Sequence, residues 1–268
     1  MFISLCKYIK YYYILYMKIS KHISFFYIEN KICYINRIID ETNNYEYTTD
    51  IFIHTNKEDL QETKFNKYTN GSIKIVYHDL SNIHPYYLTW KCRDLLKKQR
   101  NDYDIFMYIE DDILVPYKAI KYWLTYNEKL IEKNYNLGFF RIEIENKVEY
   151  ITDIWERLKT VIHLDGNTFC VNNINPYCAF WIYNKKEFSK FVESKYWNIE
   201  NIHEYYGIRE KSAVGLHGVQ NYWYINTLLP VVNNKIIEDC KIYHMPNNYA
   251  MDKNSGFGSI KFDNALEI

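Results

Sequence analysis

The sequence predicts an α/β protein: a mainly parallel central sheet flanked by helices, followed by a less regular C-terminal part. Two observations carry this. Short apolar runs alternate with helix-period segments from His22 to about Ile144, the pattern of strands joined by crossover helices. One of those runs, Phe106-Met107-Tyr108-Ile109, is apolar at every position. That suits a central strand covered on both faces.

The elements follow in chain order. His22–Ile28 reads as the first strand, and Asn30–Glu41 as a helix with Ile32, Ile35, Ile38 and Ile39 on one face. Asp50–His54 and Ile73–Tyr77 read as short strands. Pro85 opens a helix to about Gln99, because proline is tolerated in a first turn. The strand ending at Ile109 comes next, then a helix from about Pro116 to Lys133 carrying Ile120, Trp123, Leu124 and Leu130. Leu137–Ile144 reads as one further strand. Beyond Tyr150 the expected elements are short strands at Thr160–Leu164, Phe169–Val171 and Cys178–Tyr183 and a helix over Lys185–Glu193. A loop-rich stretch runs through Leu216, and a last strand lies at Lys241–His244. Residues 17–247 are expected to form a single domain, residues 1–16 a weakly ordered extension or a misassigned start, and 248–268 a flexible tail with Gly256 and Gly258.

Composition excludes several classes. The chain has 268 residues with 33 basic and 33 acidic side chains, so the formal net charge is zero. No basic domain stands out, which argues against nucleic acid as a partner and against a nuclease. The six cysteines form no Cys-x-x-Cys pair, so reduced and mostly buried thiols are expected rather than a zinc site or disulfide framework. Lys7, Lys10 and Lys18 leave only Tyr11–Met17 uncharged, too short for a transmembrane span. A cytoplasmic location is expected, with peripheral membrane contact through this Tyr/Lys segment as a minor reading. A P-loop is absent, and so is an Asp-x-Asp pair shortly after the first strand.

The chemistry concentrates where the apolar run stops, at Glu110-Asp111-Asp112 before Pro116. Period-2 alternation puts Glu110 and Asp112 on one side of the strand end with Asp111 between them. In open α/β sheets that end is where ligands bind. Carboxylate oxygens suit Mg²⁺ or Mn²⁺, ions that usually also hold substrate phosphates. The alternative is a solvated acidic turn, but unpaired carboxylates buried at a strand end are costly without a cation.

With its preceding helix and following proline, Asp102-Tyr-Asp-Ile-Phe-Met-Tyr-Ile-Glu-Asp-Asp-Ile-Leu-Val-Pro116 resembles the corresponding stretch of GT-A fold glycosyltransferases of the family-2-like kind. The acids occupy the place of their DxD motif, with Glu110 at its first position. The resemblance covers residues 22–145 well and extends more loosely to 245. It implies a nucleotide-sugar donor, a glycan or other hydroxyl acceptor, and Mn²⁺ or Mg²⁺ held by Asp112, with Glu110 helping with the metal or the donor ribose, while Asp111 faces the donor. Ile242-Tyr-His-Met-Pro246 is similar to the late strand that supplies a metal-binding histidine, which would be His244; a satisfied core histidine is the competing reading. Ile208-Arg-Glu-Lys211 stands where such enzymes carry an acid, so Glu210 is the candidate base and Glu204 its reserve, unless both are simply solvated charges. Asn175–Phe188 looks like the strand and helix beside the acceptor pocket, with Tyr177 and Trp181 as candidate contacts and a core role open for Trp181. For the donor the resemblance points to Asp50 and His54 around the second strand, with Tyr27 and Glu29 after the first as similar candidates. By residue type, Arg93 or Lys91 on the Pro85 helix suits donor phosphate, and His217 stands in a loop that could close over diphosphate or in an ordinary turn. An inverting transferase is expected. The rivals are a non-catalytic carbohydrate-binding or scaffold protein on the same fold, or another Mg/Mn-dependent phosphate-handling enzyme. Oligomeric state is not legible.

Overall fold

The computed structural model describes residues 17–218, 223–250, 252 and 256–267. The expected extension at residues 1–16 lies outside the described residues. Where the sequence reads one domain, the chain groups into two compact units. The first runs up to Asp111 and includes Phe180–Trp197; the second comprises Asp112–Ala179 and the chain from Asn198 onward.

The first unit is a five-stranded sheet of β1 (Ile19–Phe25), β2 (Thr49–Thr55), β3 (Ile73–Tyr77), β4 (Ile105–Glu110) and, from the later segment, β11 (Phe180–Asn184). Its order is β11-β4-β1-β2-β3. The first four strands are parallel and only β11 runs antiparallel, against β4. Helix α1 (Ile32–Asn43) crosses from β1 to β2 and buries Ile35, Ile38 and Ile39, the stripe expected from its spacing. The segment read as one helix from Pro85 is instead a 3-10 turn, Pro85–Trp90, followed by the short α2 (Arg93–Lys98). Helix α4 (Lys185–Glu193) is capped by Asn184, whose side chain accepts from the Glu187 amide at 2.8 Å.

Strand β1 begins three residues earlier than the apolar pattern suggests because its polar residues are buried and partnered. Lys21 donates to Thr42 Oγ1 at 2.7 Å and Tyr45 Oη at 3.0 Å. Burial pushes its pKa down to about 7. On the other face His22 Nδ1 meets His54 Nε2 at 2.8 Å, and His54 Nδ1 meets His78 Nε2 at 2.8 Å.

The second unit holds two sheets. One has the order β15-β8-β7-β14-β5, built from β5 (Ile113–Leu114), β7 (Phe140–Glu145), β8 (Val148–Ile151), β14 (Lys241–His244) and β15 (Ile260–Lys261). The other has the order β13-β12-β10-β9, built from β9 (Val161–Leu164), β10 (Asn167–Asn172), β12 (Thr227–Val232) and β13 (Lys235–Ile236), with β6 (Asn136–Leu137) beside β12. Helices α3 (Tyr117–Glu132) and α5 (Ile208–Val214) complete it. The strand read as Leu137–Ile144 is therefore two strands, broken at Gly138, where any Cβ would lie 2.8 Å from Thr227 Cγ2.

The tail is not the flexible segment expected, as far as its described residues go. Strand β15 pairs with β8, Phe262 is buried with Lys241 Nζ 3.9 Å from its ring centre, and Leu266 bridges to Leu158. Among the described residues no helix is long and apolar enough to cross a membrane.

Candidate functional site

The strand order of the first unit creates a switch point. From β1 the chain moves outward through β2 to β3, then returns to place β4 on the other side of β1. Ligands of open α/β sheets bind at the carboxyl ends of the strands beside such a reversal. Here those ends are Phe25–Tyr27 and Glu110–Asp111, since Ser24 pairs with Glu110 in register. Glu110 and Asp111 are both buried. Lys31, in the short turn between β1 and α1, reaches Asp111 Oδ1 at 2.8 Å, its side chain still 27% exposed. Tyr27 sits at the same edge, its amide bonded to Asn56 Oδ1 at 2.8 Å and its hydroxyl to Glu29. Strand β4 ends at Glu110, so Asp111 and Asp112 occupy a turn rather than continuing the alternation.

In the second unit Asp112 precedes β5, which pairs with β14 through Ile113 and His244. His244 Nε2 lies 3.7 Å from Asp112 Oδ2. Its Nδ1 lies 2.6 Å from Oε1 of Glu143, a fully buried residue of β7. Glu143 also accepts from the amides of Asn248 at 3.1 Å, Tyr249 at 2.8 Å and Ala250 at 2.7 Å. Burial alone would raise its pKa, but these bonds outweigh it and hold the carboxyl below its usual range. For His244 burial lowers the pKa, and hydrogen bonds to Asp112 and Glu143 overcome that and raise it. Beside Glu143, Arg141 Nη2 pairs with Asp153 Oδ1 at 2.6 Å and holds β7 to the residues after β8. Tyr177 lies beside this pair, its ring centre 5.4 Å from the guanidinium.

Among the described residues no group of three or more His, Cys, Asp or Glu side chains is arranged around a metal ion. Asp112 Oδ2 and His244 Nε2 lie 3.7 Å apart, a carboxylate and an imidazole, both donor types that divalent ions take. Mg²⁺ that arrives with a phosphate substrate commonly takes only one or two protein carboxylates.

Other expected site residues have different duties. Arg93 is buried, its guanidinium 4.1 Å from the Trp90 ring centre and 4.8 Å from that of Trp197, with Nη1 donating to the Trp197 carbonyl at 2.7 Å. It therefore holds the aromatic core and is not placed to meet phosphate. Trp181 is core as well, stacked on Tyr108 and Tyr183, so it offers no face to an acceptor. Asp50 lies in the Phe106 row, at the opposite end of the sheet from Glu110. It accepts from Ser72 Oγ at 2.6 Å and from Tyr103 Oη at 2.9 Å, which fixes a loop rather than a base. His54 shares Glu110's row but is fully buried in its imidazole chain, its pKa well below the ordinary value through burial and the neighbouring His22 and His78. His217 is buried, not in an open loop. It lines a cavity of about 190 Å³ with Asn172, Pro176 and Thr227, Nε2 is 4.0 Å from Cys178 Sγ, and burial pushes its pKa down to about 4. Lys91 is exposed near His78. Glu204 and Glu210 are exposed; the Glu210 carboxylate folds back to Gly207, the residue just before α5.

Two residues escaped the sequence reading, Lys31 and Glu143. Their only signal is spatial, through partners 80 and 101 positions away. No protein-family model matches the chain, and no curated protein matches it.

Proposed function

We propose that the chain is a metal-dependent glycosyltransferase of the GT-A type, taking a sugar from a nucleotide-sugar donor to a hydroxyl group of a glycan or other acceptor. The observation that carries the reading is the pair of buried carboxylates, Glu110 and Asp111, at the carboxyl end of β4 beside the sheet's switch point, with Lys31 on Asp111. Carboxylates gathered and buried at a strand end favour a cation beside them. In this reading Asp112 and His244 hold Mn²⁺ or Mg²⁺. When bound, the ion supplies neutralisation of charge building on the departing nucleoside diphosphate. Lys31 can turn from Asp111 to a donor phosphate oxygen, a point charge suited to that task. Tyr27, half-buried at the same edge, presents its ring to the nucleoside. The transferase is inverting in this proposal, and Glu210 is the base that takes the acceptor proton.

The test is release of the leaving nucleotide, a nucleoside diphosphate from UDP-, GDP- and dTDP-sugars or CMP from CMP-sugars, with Mn²⁺, comparing wild type with Asp112→Ala and Lys31→Ala. The account expects turnover with one donor class, lost at least 100-fold in Asp112→Ala, a loss typical of removing a preorganised electrostatic partner. Binding of sugars without any donor turnover, unchanged by Asp112→Ala, would instead favour a non-catalytic carbohydrate-binding protein.

A further inference from the structure

We propose that Glu143 is a positioning residue that fixes the tautomer of His244 so that its Nε2 lone pair is available to a divalent cation shared with Asp112. The inference rests on the metal reading above and goes beyond it by assigning a role to a residue that touches neither cation nor substrate.

An ionised carboxylate only accepts hydrogen bonds. Glu143 Oε1 is 2.6 Å from His244 Nδ1, so that nitrogen must carry the proton. In the neutral ring the other nitrogen, Nε2, is then an acceptor, and it is the one 3.7 Å from Asp112 Oδ2. Without a metal a proton on Nε2 can bridge to Asp112; a divalent cation shared with Asp112 takes that proton's place and uses the same lone pair. Metal-bound histidines commonly donate their second ring N–H to a carboxylate, which sets ring orientation and tautomer.

Glu143 is itself held in place. Its Oε2 accepts from the Tyr249 and Ala250 amides, and Oε1 also accepts from Asn248. Those three amides make the charge-neutral analogue informative. A glutamine at this position has one acceptor oxygen and one NH₂ group. The two backbone donors at the Oε2 place, Tyr249 and Ala250, demand the oxygen there, so the NH₂ group takes the Oε1 place, facing His244 Nδ1 and giving up the Asn248 bond. The imidazole would then have to accept at Nδ1 and carry its proton on Nε2, the wrong form for binding a cation.

The test uses the full chain. Mn²⁺ binding is followed by the paramagnetic resonance signal of the free ion in wild type, Glu143→Gln, Glu143→Asp, His244→Gln and Asp112→Ala. The His244 tautomer is read from long-range ¹⁵N–¹H correlations without metal in alkaline buffer, the resonance being assigned by its loss in His244→Gln. The expected result is an Nδ1–H tautomer in wild type and Nε2–H in Glu143→Gln, with Mn²⁺ affinity reduced about 10–100-fold. Glu143→Asp, which keeps the charge, should recover part of the affinity. An Nε2–H tautomer in wild type overturns the proposal even if a variant fails to fold. Unchanged Mn²⁺ affinity in folded Glu143→Gln, while His244→Gln loses it, overturns the role of Glu143 and leaves the metal reading standing. No Mn²⁺ binding by wild type overturns both.

Discussion

Glu143 and Arg93 are both buried ionic groups, and they are satisfied in different ways. Glu143 collects four hydrogen bonds and orders a histidine. Arg93 lies among Trp90, Phe191 and Trp197 and caps the chain at Trp197. A lysine cannot stack as a planar guanidinium does, so Arg93→Lys is expected to destabilise the protein by about 1–3 kcal/mol in urea unfolding. Nucleotide affinity should be unchanged, whereas a phosphate-binding arginine would lose affinity first. The imidazole chain gives a pH prediction. With Gln99 Oε1 accepting from His22 Nε2 at 3.0 Å, each ring in turn donates through Nε2 and accepts at Nδ1. All three are neutral when folded: burial pushes His22 down to about 3 and His78 to about 4, from an ordinary 6.5. The unfolded chain therefore binds more protons below pH 6.5. The stabilisation is complete above that pH and is lost as pH falls towards 4, with buried His22 contributing about 1.4 kcal/mol per pH unit. His54→Gln should be less stable at pH 7 yet lose stability more gently between pH 6.5 and 5; an unchanged slope would contradict the chain's neutral state.

Elements were legible where pattern alone decides them. The Ile35-Ile38-Ile39 stripe of α1 and the apolar run of β4 lie where the sequence puts them. The start of β1 was not legible, because Ser20, Lys21 and His22 look like surface residues until Gln99, Thr42 and Tyr45 are brought to them by the fold. The break between β6 and β7 was missed for a related reason. Gly138 reads as a tolerable glycine within an apolar run, and only the packing of Thr227 and Leu229 shows why a side chain does not fit. Gly138→Ala is accordingly expected to cost about 1–3 kcal/mol through overpacking, measured by chemical denaturation. A neutral result would mean the strand can slide to admit a methyl group.

At the scale of the whole molecule, the acidic triplet was legible because its members are contiguous, and its surroundings were not because they come from distant segments. Glu110 and Asp111 close the first unit and Asp112 opens the second. Lys31 and His244, 213 positions apart as 244 minus 31, each meet one of these acids. The tail misled the sequence reading through its glycines, whereas Phe262 and the Glu143 bonds to residues 248–250 anchor its described part. The central claim proposed here is that Asp112, with His244, binds a nucleotide through a divalent cation. Its most direct measurement is calorimetric titration of the full chain with UDP, GDP, CMP and dTDP, in Mn²⁺ and in chelator, with Asp112→Ala as control. The account predicts binding of one nucleotide that needs Mn²⁺ and disappears in Asp112→Ala. Binding that ignores both chelator and mutation, or no binding of any nucleotide, would contradict it.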